Sequence, residues 1–239
     1  MKLSIIIPVF NEEETITQVL QRVEHLNLGN ITKEIIVVND GSTDKTAQKI
    51  KTFLSTHTSS MQYFSQASNK GKGAAVLFGI RKATGEYGII QDADLEYDPE
   101  QIKILLNALQ KINAPVIYGT RLTILPNFTG QASKTRFLLH YLGNRMLSLI
   151  TSLLYGQWIT DMETCYKLFP LDVVKDLVLH AKGFEFEPEI TAKLMKQRLK
   201  IYEVPITTTP RGYKQGKKLH TLRDGVKAVK TLIRYRFTN

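Results

Sequence analysis

The amino-acid sequence predicts an α/β fold with a mainly parallel sheet flanked by helices. In the first 120 residues, short apolar runs rich in Ile and Val alternate with segments whose apolar residues recur at helical spacing. Polar residues of unusual chemistry follow each of the first four apolar runs, as expected where ligands bind beyond the carboxyl ends of parallel strands. With 239 residues, 43% of them hydrophobic, the chain is long enough for one large domain with a core.

Five strands are predicted in this half, at residues 3–10, 34–39, 61–64, 87–91 and 116–119. Helices are predicted between them, over residues 16–26, 47–54, 74–83 and after residue 98. Asn11 with Glu14 is typical of a capping box for the first helix, and Ser42 or the next residue is expected to cap the second. Asp98 followed by Pro99 is a favoured helix start.

The second half carries two predicted amphipathic helices. Residues 134–155 combine a wide apolar face with one narrow polar stripe, made of His140, Asn144, Ser148, Thr151 and Ser152. Pattern alone favours burial of this helix against the sheet over a position in a membrane interface. Residues 221–239 are predicted to form a basic amphipathic helix with Val226, Val229, Ile233 and Phe237 on its apolar face. The predicted organisation is therefore a domain of residues 1–220, with halves 1–120 and 121–220, followed by this helix.

The net charge of +10 is concentrated in the second half of the chain. Residues 1–120 hold 12 Lys and Arg against 13 Asp and Glu, whereas residues 121–239 hold 20 against 9. Such a half is expected to meet an anionic partner, such as a phosphorylated substrate or an anionic membrane surface, or to be a solvated basic surface. Aromatic residues are too sparse among these charges to favour nucleic acid.

The segment after the fourth strand carries three acids at alternate positions: Asp92, Asp94 and Glu96. Alternate side chains of a strand point to the same face, so we expect these carboxylates to lie together. They would repel each other unless a cation lay among them, and oxygen ligands suit Mg²⁺ or Mn²⁺. The sequence therefore predicts a divalent metal site that holds a nucleotide diphosphate; a solvated acidic loop is the alternative.

Other polar segments are less specific. Asp40 is interpreted as an acceptor for a base edge or ribose hydroxyl, or as a turn residue. The glycine-rich loop at 69–73 is expected to touch a phosphate or sugar, or to be a flexible turn. Asp161 and Glu163 are candidate bases or a simple helix start, and residues 210–218 are a basic loop able to bend around an anion.

Four motifs occur here in the order seen in family 2 glycosyltransferases with the GT-A fold, and the chain resembles most the dolichyl-phosphate and polyprenyl-phosphate sugar transferases. The motifs lie at residues 4–12, 39–46, 69–73 and 92–94, and the resemblance covers roughly residues 3 to 225. It implies a nucleotide-binding half at 1–120 and an acceptor-binding half at 121–220, with 134–155 as a membrane-interface helix. Glu96 and the segment 165–167 depart from the mannosyltransferase pattern, so the sugar stays open.

The resemblance implies a role for each matching residue. The nucleotide base and ribose would be lined by Pro8, Phe10, Asn11, Glu12 and Asp40. Asp92 and Asp94 would hold the metal and the diphosphate, with Glu96 as an added ligand. The diphosphate or the acceptor phosphate would be faced by Arg121, Arg211, Lys217 and Lys218, with Lys72 in the glycine-rich loop assigned to the donor site.

The predicted reaction is inverting transfer of a hexosyl group from a nucleotide-diphosphate sugar to a lipid phosphate. A phosphate acceptor needs little deprotonation, whereas a hydroxyl acceptor needs a base, for which Asp161 or Glu163 would serve. A sugar nucleotidyltransferase is the alternative from another class. One cysteine, no signal peptide and no hydrophobic tail lead us to expect a cytoplasmic protein on the cytoplasmic face of a membrane, recruited directly or by a small membrane partner.

Overall fold

The computed structural model describes residues 1–57, 61–112, 114–122, 134–209 and 221–238. Its strands are β1 (Lys2–Val9), β2 (Thr32–Asn39), β3 (Met61–Ser65), β4 (Tyr87–Ile90), β5 (Val116–Thr120), β6 (Lys167–Pro170) and β7 (Ile201–Pro205). Its helices are α1 (Ile16–His25), α2 (Thr46–Thr56), α3 (Lys72–Lys82), α4 (Ile102–Ile112), α5 (Lys134–Tyr155), α6 (Leu171–Asp176), α7 (Phe186–Lys196) and α8 (Thr221–Phe237). The predicted α/β alternation of the first half is confirmed.

The seven strands form one sheet in the order β3-β2-β1-β4-β6-β5-β7. Every neighbouring pair among β1, β2, β3 and β4 is parallel, and β5 pairs in parallel with β7. Only β6 runs the other way, antiparallel to both β4 and β5. The chain crosses from one side of β1 to the other between β3 and β4, so the loops after these strands meet at one edge of the sheet, where α/β proteins bind ligands.

The core explains why the first half was predictable. The central strands β1 and β2 are covered on both faces, and their Ile and Val side chains from Ile5 to Ile7 and from Ile35 to Val38 are almost fully buried. A strand buried on both faces has a continuous apolar run, which is the pattern that predicted it. The strands β6 and β7 and the helices α6 and α7 were not predicted, because their sequences mix polar and apolar residues.

The helix starts differ from two of the three predicted caps. The first helix begins at Ile16 with Thr15 at the N-cap position, so the capping box of Asn11 and Glu14 is wrong. At α2 neither Ser42 nor Thr43 is the cap: Lys45 holds the N-cap position without a side-chain cap, and the Thr46 N–H donates to Asp44, whose part in capping the sequence also indicated. Asp98 does accept the Glu100 N–H as predicted, at a short 3-10 turn that leads into α4.

The helix α5 packs with its polar stripe inward. Asn144, Ser148, Thr151 and Ser152 are all buried, whereas Leu142, Met146, Leu149 and Leu153 are exposed. The interpretation from pattern alone, an apolar face buried against the sheet, is therefore wrong. The side chain of His140 lies outside the described residues.

The helix α8 behaves in the same way, because Val226, Ile233 and Phe237 of its predicted apolar face are exposed. It packs instead through Ala228, Leu232 and Tyr235 against α5 and α7. Neither α5 nor any other described helix has the length and apolar character needed to cross a bilayer. The division of the chain at residue 220 stays a prediction.

Candidate active site

The loops after β1 and β2 are tied together by side chains. Asn11 adopts a left-handed backbone conformation, with φ of 49°. Its side-chain oxygen accepts the Thr43 N–H at 2.8 Å, and its own N–H donates to the hydroxyl of Ser42 at 3.0 Å. Glu12 is held in turn by a 2.8 Å bond from its N–H to the hydroxyl of Thr46. These predicted donor-site residues lie together, whereas Pro8 is buried inside β1.

Asp40 anchors the glycine-rich loop. It is 2% exposed, and its two carboxylate oxygens accept the N–H groups of Lys70 at 2.9 Å and Gly71 at 2.8 Å. Burial raises the pKa of Asp40, although these two hydrogen bonds act against the shift. The structure thus gives Asp40 a role in holding this loop, and its predicted contact with a base or ribose stays a prediction.

The glycine-rich loop lies directly against residues 181–183. Gly71 has φ of 99°, and a Cβ added there would lie 2.3 Å from the carbonyl oxygen of Lys182. The Ala74 N–H donates to that same oxygen at 3.1 Å. The loop is therefore fixed, rather than the flexible turn that sequence left open. As a result Lys72, the first residue of α3, points at Asp92, with its Nζ 2.7 Å from Oδ1.

Asp92, Asp94 and Glu96 do not lie on a strand. The strand β4 ends at Ile90, and the acids occupy a turn in which Leu95 has φ of 64°. Asp94 closes this turn by accepting the Glu96 N–H at 3.0 Å. The strand-face argument that brought the three acids together is therefore wrong, although the turn still keeps them close.

The electrostatics of this turn fit a cation. Burial, followed by the charges of Asp92 and Glu96, raises the pKa of Asp94 to about 7. A divalent ion would relieve that repulsion, and Mg²⁺ typically takes one or two protein carboxylates and completes its shell with water and substrate phosphates. Within the described residues no three acidic, His or Cys side chains are arranged to hold a metal by themselves. Asp92 and Asp94 fit as a partial ligand pair, and Glu96 stays a predicted third ligand.

Across the sheet, Arg121 and Asp161 form a two-pronged ion pair. Arg121 directly follows β5, and its Nε and Nη2 each lie 2.7 Å from an oxygen of Asp161. The backbone N–H of Arg121 donates to the same carboxylate at 2.9 Å. Burial alone would raise the pKa of Asp161, but Arg121 outweighs it and holds that pKa below its ordinary value. Asp161 lies in the loop before β6, so the alternative of a helix start is wrong.

The loop that carries Asp161 is held by residues to which sequence reasoning gave no role. Glu203 of β7 accepts the N–H groups of Thr160 at 2.7 Å and Asp161 at 2.9 Å. Ser148, in the inward polar stripe of α5, accepts the Met162 N–H at 2.9 Å. The unusual polar stripe of α5, visible in the sequence, was the available signal for this function.

A second buried ion pair lies behind the loop. Lys167 is fully buried, lies 2.6 Å from Oε2 of Glu187, and donates to the carbonyls of Met162 and Thr164. Glu163 lies among these charges, and its pKa is raised to about 7 by burial, with the charge of Glu187 next in effect. Nothing in the sequence pattern indicated the pairing of Lys167 with Glu187. The predicted residues Arg211, Lys217 and Lys218 lie outside the described residues.

The fold and this site define an α/β protein of the GT-A class. The chain aligns with the crystal structure of glucosyl-3-phosphoglycerate synthase from Mycobacterium tuberculosis, in complex with Mn²⁺, UDP-glucose and phosphoglyceric acid, with a TM-score of 0.70 over 98% of this chain and 79% of that one. Sequence identity is 18%, so this likeness shows the fold. Another crystal structure of the same protein is a complex with Mg²⁺ and UDP.

Residues 4–178 match the model of glycosyl transferase family 2, and the chain belongs to that family. It is 29% identical over 216 residues to a dolichyl-phosphate beta-glucosyltransferase of Trichomonas vaginalis, covering 85% of this chain and 64% of the relative. It is 28% identical over 212 residues to a dolichol-phosphate mannosyltransferase of Pyrococcus furiosus, covering 87% of this chain and 56% of the relative. The low-salt glycan biosynthesis hexosyltransferase Agl6 of Haloferax volcanii is 29% identical over 212 residues, 87% of this chain and 48% of that protein. The chain thus spans about half to two thirds of the length of these relatives.

Proposed function

We propose that this chain is an inverting glycosyltransferase that moves a hexosyl group from a nucleotide-diphosphate sugar to a polyprenyl or dolichyl phosphate. Its membership of family 2 supports sugar transfer and gives no support to the nucleotidyltransferase alternative. Two of the relatives are named for glucosyl or mannosyl transfer to a dolichyl phosphate. The site adds a physical argument for the acceptor class.

The observation that carries this proposal is the state of Asp161. A hydroxyl acceptor needs a base to take its proton, whereas a phosphate monoester has a second pKa of about 6 and arrives largely ionised at neutral pH. All the hydrogen bonds that Asp161 accepts from Arg121 favour its ionised form and leave it tied to the guanidinium. Asp161 therefore positions Arg121, and Arg121, with 20% of its side chain accessible, binds the acceptor phosphate.

The donor binds on the other side of the sheet edge. Phe10, Asn11, Glu12 and Asp40 receive the base and ribose, with Pro8 behind them in β1. Asp92 and Asp94, with Glu96, would hold a divalent ion, which offsets the charge that grows on the leaving diphosphate. The Mn²⁺ and Mg²⁺ in the solved relative support such an ion. Lys72 and Arg121 add positive charge, to which Arg211, Lys217 and Lys218 would contribute.

The outer faces of α5 and α8 fit a membrane interface. Leu153 is 76% exposed and Phe237 is 79% exposed, and both sit on helices that pack against each other. On α8, Phe237 shares the helix with exposed basic side chains, which include Lys227, Lys230 and Arg234. Apolar and basic groups on one surface favour binding to anionic lipid headgroups. We propose that this surface brings the site to a lipid acceptor on the cytoplasmic face of a membrane, alone or with a small membrane partner.

One observation favours a second candidate, transfer to a hydroxyl of a glycan or glycolipid. An oxygen of Glu163 is buried with no hydrogen-bond partner among the described residues, and a carboxyl group with a pKa of about 7 is suited to act as a base at neutral pH. If Glu163 takes a proton from the acceptor, replacing it by Gln lowers turnover about 100-fold or more. With a lipid phosphate acceptor, the same variant keeps turnover within about threefold of the wild type.

The test is incubation of the purified protein with a panel of nucleotide sugars, with and without polyprenyl phosphate in detergent and with Mg²⁺, Mn²⁺ or chelator. Products are identified by mass. We expect a polyprenyl phosphate hexose that forms from one donor and requires metal. Release of pyrophosphate, or transfer only to hydroxyl acceptors, would overturn the proposal.

A further inference from the structure

Lys72 lies between two carboxylates that belong to different parts of the site. Its Nζ is 2.7 Å from Oδ1 of Asp92, in the acidic turn, and 3.8 Å from Oε1 of Glu187, on α7. The first distance is that of a charge-assisted hydrogen bond, and the second leaves room for one to form. The side chain is 21% exposed, so its ammonium is poorly solvated and depends on these partners.

The two carboxylate oxygens of Glu187 differ in how closely a cation approaches them. Its Oε2 is paired with Lys167 at 2.6 Å. Both oxygens are buried without a hydrogen-bond partner among the described residues, but Oε2 has this close ion pair, whereas Oε1 is paired with Lys72 only at 3.8 Å. A buried carboxylate oxygen without a partner is unfavourable, and the ammonium of Lys72 lies 3.8 Å from Oε1. A small rotation of the lysine side chain would satisfy this oxygen.

Asp92 cannot keep Lys72 and accept a divalent ion through the same oxygen. Two cations on one carboxylate repel each other strongly at such short range, particularly where water is scarce. The backbone cannot move to relieve the clash, because the loop of Lys72 is fixed by Asp40 and by its contact with residues 181–183. An ion that binds through Oδ1 of Asp92 therefore displaces the lysine side chain, and Oε1 of Glu187 is a carboxylate oxygen that it can reach.

We propose that Lys72 is an internal counter-ion that neutralises Asp92 in the metal-free protein and transfers to Glu187 when a divalent cation binds. This inference depends on the metal site of the proposed function. It makes the metal compete with a built-in charge, so the free protein binds metal weakly. A nucleoside diphosphate adds negative charge that both cations share, and the affinity for metal then rises.

The test is titration of the full chain with Mn²⁺ alone, in which the electron paramagnetic resonance signal of free Mn²⁺ gives the dissociation constant. Lys72→Met removes the competing charge and is expected to lower this constant about tenfold. Lys70→Met, an exposed lysine two residues away in the same loop, is the matched control and is expected to leave it unchanged. Repeating the titration with a nucleoside diphosphate should narrow the difference between wild type and Lys72→Met.

Two further variants separate the possible failures. Glu187→Gln removes the second position for the ammonium and is expected to weaken Mn²⁺ binding about threefold, in protein shown by circular dichroism to be folded. Asp94→Asn should abolish Mn²⁺ binding if the metal site is correct. If Asp94→Asn binds Mn²⁺ as the wild type does, the metal site itself is wrong. If Asp94→Asn loses Mn²⁺ but Lys72→Met binds it no more tightly than the wild type, the exchange is wrong and the site stands.

Discussion

Two sides of the sheet edge are built by different means: the proposed donor side, formed by the loops after β1, β2, β3 and β4, and the proposed acceptor side, formed by Arg121 and the loop before β6. On the donor side, short polar side chains accept hydrogen bonds from backbone N–H groups of neighbouring loops. Asn11 accepts from Thr43, and Asp40 accepts from Gly71. On the acceptor side, two buried ion pairs hold the loop before β6. One joins Arg121 to Asp161, and the other joins Lys167 to Glu187. Hydrogen bonds from polar side chains tolerate partial exposure, whereas a buried charge needs its partner.

The difference has a functional meaning. In the proposed function, the donor side presents backbone and carboxylate groups to a ligand that brings its own charge and a metal. The acceptor side would offer the fixed positive charge of Arg121 to a phosphate and keep it aligned through Asp161. We therefore expect the two sides to respond differently to loss of a single carboxylate.

The largest expected effect is on the donor side, at Asp94. Asp94→Asn removes a ligand of the proposed metal site and should lower kcat about 1000-fold, because the charge of the leaving diphosphate would no longer be offset. The rate of donor turnover at saturating Mn²⁺ measures this. Asp98→Asn is the matched control, since Asp98 caps the turn before α4 and lies outside the acidic turn. Normal turnover of Asp94→Asn would contradict the proposed metal site.

The next effect falls on stability and separates the two sides. Asp161→Asn leaves the guanidinium of Arg121 buried without a partner, which should lower the free energy of unfolding by about 3 kcal/mol. Asp44→Ala, which removes the carboxylate that accepts the Glu13 and Thr46 N–H groups on the donor side, should lower it by about 1 kcal/mol. Urea unfolding followed by circular dichroism gives both values. Equal losses would contradict the contrast between the two sides.

Glu163 gives the acceptor side a pH dependence. Its pKa is about 7 in the folded protein, above its ordinary value of 4.5, so the folded state holds a proton that the unfolded state loses. This group therefore lowers stability as pH rises from about 4.5 to about 7. The wild type should therefore lose stability between pH 4.5 and pH 8, and Glu163→Gln should not show this loss. The change in the free energy of unfolding between these two pH values should differ by about 2 kcal/mol between the two proteins. Unfolding curves at both pH values test this, and parallel pH dependence of the two proteins would contradict it.

The smallest expected effect concerns the outer face of the acceptor side. Leu153→Glu places a charge on the exposed apolar stripe of α5 and should weaken binding to vesicles with anionic lipid about tenfold, without loss of stability. Ile104→Glu on α4 is the control, since Ile104 is 41% exposed but lies on another helix. Cosedimentation with vesicles measures both. If both variants weakened vesicle binding equally, the exposed face of α5 would have no specific role in that binding.

The sequence predicted the strands and helices around the proposed donor side well, because their signals are local. Each strand there is a continuous apolar run, and each polar loop follows it directly along the chain. The detail was less accurate: Asn11 joins two loops rather than capping α1, and the acidic turn replaces a strand face. Both errors come from backbone conformations with positive φ, at Asn11 and Leu95, that residue type alone does not specify.

The acceptor side was less predictable because its partners are distant in sequence. Arg121 and Asp161 are 40 residues apart, and Glu203 lies further still, so no periodicity connects them. The helix α5 also buries a polar stripe, against the usual rule that apolar faces turn inward, and α8 buries Ala228, Leu232 and Tyr235 rather than its predicted apolar face. Pattern analysis assumes that polar side chains face water. The polar stripe of α5 is buried instead, because it holds the loop of Asp161. The family resemblance implied a membrane-interface helix at 134–155, and that interpretation stays a prediction.

The most direct test is a competition between two acceptors of equal chain length. Polyprenyl phosphate and the matching polyprenol are mixed in equal amounts with the protein, the active nucleotide sugar and metal, and the products are identified by mass. The account predicts that the sugar is transferred only to the phosphate, in the wild type and in Glu163→Gln alike. Transfer to the polyprenol hydroxyl, lost in Glu163→Gln, would contradict it.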